Sequence, residues 1–141
     1  MRLLAVFLCH GQKLYSKSTT SGGTERFIQI AKRMCSKGVK LYVITNRAGA
    51  QLLRERNINA KIYEIIVPFD EVLYETIIGA AIAYVLRTLS AIIALRHISR
   101  MRKMDIVCAI SSFPPDVIIA WLLYKFFRNS AKLIMYCHHL V

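Results

Sequence analysis

Acidic side chains are scarce in this sequence. Eight Asp and Glu stand against 20 Lys and Arg in 141 residues, a formal charge of +12. A surplus of that size makes cationic faces and selects phosphate-bearing partners: nucleotides, nucleic acid or an anionic bilayer. Nucleic acid falls out of that set, because aromatics do not interleave with the basic residues as a single-strand-binding surface requires. Close cysteine pairs are missing too. Cys9, Cys35, Cys108 and Cys137 form neither a zinc spacing nor a CxxC motif, and no metal site is expected. Each reads as a reduced cysteine packed as a small hydrophobe, which fits a cytosolic compartment and implies no disulfide framework.

Glycine-rich phosphate loops are absent. No GxGxxG follows the first apolar run, and no GxxxxGK[ST] occurs anywhere. The second apolar run ends in Thr45-Asn46-Arg47, with no acid for a ribose hydroxyl. These absences exclude a dinucleotide enzyme and a P-loop NTPase. The opening apolar run reaches only to Cys9 and is followed by no small-residue cleavage site, so it reads as a core strand and not as a signal peptide.

What is present is regular. Hydrophobic residues make up 55% of the chain, enough for a sizeable core in one domain. Strand-like runs at 3–9, 40–45, 61–67, 105–111 and 132–137 alternate with helix-like stretches at 23–37, 49–56, 71–101 and 115–127. The strands are apolar nearly throughout, the mark of a sheet covered on both faces. Alternating strand and helix then predicts parallel β/α units with right-handed crossovers: an α/β, Rossmann-like three-layer sandwich. Gly38 stands where the first helix should stop, and Pro114-Pro115 with Asp116 suit a helix start.

Residues 76–95 have about the length of a bilayer span and one charge, Arg87. A central arginine costs about 2.5–3.5 kcal/mol on insertion scales, which many aliphatics could offset. Topology argues harder against a span, since crossing here would divide the strands of one sheet between two sides. Two readings stay open. In one, the apolar face lies on a membrane surface, with Arg96, Arg100, Arg102 and Lys103 meeting anionic headgroups. In the other, the helix is buried under the sheet or a neighbouring domain.

Ligands of open parallel sheets sit beyond the carboxyl ends of the strands. The first strand leads to His10 and then to Gly22-Gly23 at a helix start, where a close backbone approach and unpaired amides attract an anion, typically phosphate. A tight turn with no ligand is the competing reading. The second strand reaches Asn46, the fourth Ser111 and Ser112, and the fifth His138-His139. Adjacent residues of a strand point to opposite faces, so only one of these histidines can face a given cleft. Glu25 and Asp116, each in a first helical turn, read as structural.

At these residues the chain resembles the N-terminal domain of family 4 retaining glycosyltransferases, the first half of a GT-B fold. The similar features are Ser21-Gly22-Gly23-Thr24-Glu25-Arg26 after the first strand, Ser36 to Thr45, and Tyr136-Cys137-His138. Together with Pro115-Asp116-Val117, the last resembles the dolichol-linked oligosaccharide mannosyltransferases. The resemblance implies that Gly22 and Gly23 contact the diphosphate or sugar of a nucleotide-sugar donor. It also implies that His138 binds the sugar undergoing transfer, with His10, Asn46, Ser111, Ser112 and His139 as candidate cleft residues. No cofactor or catalytic metal is implied beyond the donor substrate.

Such enzymes work as peripheral proteins at the cytosolic face of a membrane, on lipid-linked or other glycan acceptors. The family's second, donor-binding domain has no counterpart in residues 1–141, which are expected to form an incomplete acceptor-side domain, inactive alone. The alternatives are a non-catalytic membrane-anchoring subunit of a split glycosyltransferase, and a Rossmann-like protein that binds a phosphorylated metabolite.

Overall fold

The computed structural model describes residues 1–8, 22–68, 76–98 and 103–135. Among these residues five strands and four helices alternate. They are β1 (Arg2–Phe7), α1 (Gly22–Ser36), β2 (Lys40–Asn46), α2 (Arg47–Glu55), β3 (Ala60–Ile65), α3 (Ile77–Ile98), β4 (Ile106–Ala109), α4 (Pro114–Phe127) and β5 (Lys132–Met135). All strands pair in parallel, in the order β3-β2-β1-β4-β5. Helices cover both faces, so the molecule is the α/β three-layer sandwich expected from its apolar strands.

β1 lies at the centre, and its side chains alternate between two cores as a period of two requires. Leu3, Ala5 and Phe7 join Phe27, Ile28 and Ala31 of α1 and Leu53 of α2. Leu4 and Val6, with Leu8 beyond the strand, join Ala91, Leu95 and Ile98 of α3 and Ile119 and Leu123 of α4. Strands buried on both sides have no place for polar residues, hence the continuous apolar runs.

Local chemistry ends the helices where the sequence says it should. Gly38 has φ +75°, the amide of Val39 donates to the Met34 carbonyl at 3.1 Å, and that of Gly38 to Cys35 at 3.0 Å. This is a Schellman stop, satisfying carbonyls that α1 leaves unpaired. Asn57, φ 53°, ends α2 in the same way, with Ile58 donating to Leu53 and Asn57 to Arg54, each at 3.0 Å.

α3 covers 77–98 of the expected 71–101, and residues 71–75 and 99–101 lie outside the described residues. The strands before and after it belong to one sheet, and its Arg87 is only 3% exposed, turned into the protein. Among the described residues no helix is long and apolar enough to cross a membrane. Arg100 and Arg102 lie outside the described residues; Arg96 and Lys103 are exposed.

Candidate functional site

Sheet order reverses between β1 and β4. From β1 the chain proceeds outward to β2 and β3, and after α3 it returns to place β4 on the other side of β1. The β/α connections leaving β1 and β4 therefore diverge, and a crevice opens at their carboxyl ends. α1 begins there at Gly22, and α4 begins there at Pro114 after the turn through Ser111 and Ser112.

Gly22 is the first residue of α1. Gly23 is half-buried and lines a groove, open to solvent, between α1 and the β4–β5 side of the sheet, with Phe27, Cys108, Ile110 and Ile134 among its walls. The rest of that lining is apolar. Glu25 is held on the surface: it accepts from Gln29 Nε2 at 3.1 Å and pairs with Arg56 at 3.4 Å. The structural reading of Glu25 fits these contacts.

Ser111 and Asp116 form the polar centre of the crevice. Asp116 is 1% exposed, yet both its oxygens are engaged. Oδ1 accepts the amide of Leu8 at 2.9 Å, and Oδ2 accepts the Ser111 hydroxyl at 2.6 Å. The Ser111 hydroxyl in turn accepts the Phe113 amide at 3.3 Å. The carboxyl thus ties the exit of β1 to the entry of α4 across the switch point. Burial pushes its pKa up to about 7, against the lowering effect of the Ser111 and Leu8 hydrogen bonds and of the nearby Arg87 guanidinium. Tyr84, one turn before Arg87, feels both charges, and burial raises its pKa first of all. Arg87, itself buried on α3, is near enough to favour the ionised form of Asp116, but burial outweighs it.

Asn46 serves the fold. Its side chain caps α2, with Oδ1 accepting the Gly49 amide at 3.1 Å, and the residue is buried. The available signal was an Asn three residues ahead of the helix-like stretch at 49–56, which begins in the structure at Arg47. Gly49 is needed there, since a Cβ would overlap Thr45 Oγ1. Ser112 is exposed at the end of β4. His10, His138 and His139 lie outside the described residues.

Cys108 is buried beside this centre, and its thiol is pushed up to about 11, by burial first and then by Asp116. A thiol so poised stays protonated and is no nucleophile. Cys35 donates to the Asn59 carbonyl at 3.3 Å, and burial raises it too. Both are free and act as packing residues. Cys9 and Cys137 lie outside the described residues.

Comparison with protein families, with curated proteins and with solved structures gives no match for this chain. The site is therefore read from its own geometry.

Asp116 and Arg87 are what sequence reading missed. The first reads as a helix-end acid and the second as a cost to membrane insertion. The available signal was their singularity: each is the lone acid or the central base of an otherwise apolar helix.

Proposed function

We propose that this chain is the acceptor-side domain of a retaining hexosyltransferase. In this reading it moves a mannose-like sugar from a nucleotide-sugar to a lipid-linked or other membrane-associated acceptor, together with a donor-binding domain. The observation that carries the proposal is the start of α1 at Gly22-Gly23, beyond the carboxyl end of β1 and beside the reversal of sheet order. Parallel sheets bind their ligands at this point, and a helix start offers unpaired amides and a positive dipole end to a diphosphate.

The roles follow from that placement. Gly22 and Gly23 approach the donor diphosphate or the sugar joined to it, and His138, following β5, donates to a hydroxyl of the transferred sugar. Charge on the departing nucleoside diphosphate is then met by dipoles and cations, the usual route for such a leaving group.

The test is a titration of the isotopically labelled chain with pyrophosphate, UDP-hexose and GDP-hexose, read at the amides of residues 22–25. Those amides should shift, and Gly23→Val should abolish the response by crowding the backbone while leaving the remaining spectrum in place. Silence of these amides toward every diphosphate would overturn the proposal. In a complete enzyme, His138→Ala should depress turnover and His139→Ala should not.

A further inference from the structure

The two faces of the sandwich differ in what they show to the outside. α1 turns Arg26, Gln29, Lys32 and Arg33 to solvent, as an ordinary amphipathic surface helix does. α3 and α4, which pack against each other on the opposite face, are apolar all round. Their inner sides enter the core, while their outer sides carry a second apolar stripe. On α3 the stripe is Ile82, Val85, Leu89 and Ile93; on α4 it is Ile118 and Trp121. Spacings of three and four place each set along one side of its helix, opposite the buried residues. Ile93 is 68% exposed and Val85 is 58% exposed. Apolar side chains exposed in a continuous stripe mark a surface that meets something other than water.

The charges on this face select the partner. Neither helix exposes a carboxylate, since their one acid, Asp116, is buried. Among the described residues of these two helices and their ends, the exposed ionisable groups are cations: Arg96 in the last turn of α3, Lys125 in the last turn of α4, and Arg128 after it. Lys125 and Arg128 continue the Ile118–Trp121 side of α4, and Lys125 Nζ lies 5.2 Å from the Trp121 ring centre. A tryptophan beside cations on long stems, at the rim of an aliphatic surface, is the chemistry of the lipid headgroup layer.

We infer that the outer face of α3 and α4 is a docking surface for an anionic lipid bilayer. The apolar stripe enters the acyl boundary, and Arg96, Lys125 and Arg128 meet headgroup phosphates. Both helices run antiparallel to the strands they join, so the cations lie toward the amino edge of the sheet and the crevice lies at its carboxyl edge. The inference deepens the membrane-associated transferase reading, but its observations stand without that reading, because they concern the outer face of α3 and α4 and not the crevice.

Trp121 is the only tryptophan of the chain, so its emission reports this surface alone. The 141-residue chain would be mixed with phosphatidylcholine vesicles, and with vesicles containing phosphatidylglycerol, each with and without brominated acyl chains. Emission should shift to the blue and be quenched by bromine, with tighter binding to the anionic vesicles that weakens as salt is added. Lys125→Gln with Arg128→Gln should weaken anionic binding roughly thirty-fold, because each surface cation contributes about a fivefold factor. Val85→Glu with Ile93→Glu should abolish binding to both vesicles while circular dichroism and the nucleotide-sugar response persist. Unquenched Trp121 on anionic vesicles, equal binding by the glutamate variant, or burial of Trp121 through self-association without lipid would overturn the inference. Vesicle binding without any diphosphate response would leave it standing and remove only the transferase reading.

Discussion

Asp116→Asn offers a decisive perturbation, because the carboxyl is nearly sealed from water and its partners are known. Folding raises its pKa from 3.8 to about 7, with burial the leading cause. A carboxyl raised in this way holds its proton in the native state at a pH where the unfolded chain has lost it. Its contribution to stability is therefore full below about pH 4, and is lost as pH rises through about 7. A rise of about three pH units, at about 1.36 kcal/mol each, makes that loss about 4 kcal/mol, a large share of the stability of a domain this size.

Asparagine keeps an acceptor for the Leu8 amide and offers a donor to the Ser111 oxygen, but it does not titrate in this range. Urea unfolding of both proteins from about pH 4 to pH 8 provides the assay. The wild type should lose stability with rising pH relative to Asp116→Asn, whose profile should lack that component. Subtracting one profile from the other removes the effects of the remaining carboxylates and of the overall positive charge. Parallel profiles, or a wild type that gains stability relative to the mutant as pH rises, would refute the reasoning. They would mean that Arg87 holds the carboxylate ionised in spite of burial.

Other predictions concern the frame of the fold. Gly38→Ala should cost about 1 kcal/mol in thermal or urea unfolding, although a Cβ there meets no atom, because the penalty lies in the left-handed backbone. A neutral result would mean that the Schellman stop relaxes freely. Thr45→Val should leave stability unchanged or raise it by about 1 kcal/mol, because Thr45 Oγ1 is the one buried side-chain polar atom without a hydrogen-bond partner among the described residues. A clear loss would show that the hydroxyl has a partner.

The periodicity and punctuation of the chain reveal its framework. Apolar runs give five strands, Gly38 stops α1, and Pro114-Pro115 open α4, all within a few residues of the observed bounds. These signals are local: a left-handed φ, a missing amide hydrogen or a two-faced strand is written in a few neighbouring residues. The polar centre is not legible in that way. Leu8 and Asp116 are 108 positions apart, and nothing near either residue announces the other. Asn46 stands between the two cases, since reading strand ends as cleft walls obscured a capping signal that was present.

The sequence alone determined the layers. Continuous apolar strands require cover on both faces, and alternating helices supply it through right-handed crossovers. Only the tertiary structure decided which residues share the crevice. The order β3-β2-β1-β4-β5 puts the exit of β1 beside the entry of α4, where one buried carboxyl holds them together. The outer surface likewise needed the assembled fold. Each helix is apolar on two sides, and only packing against the sheet fixes which side remains for a partner.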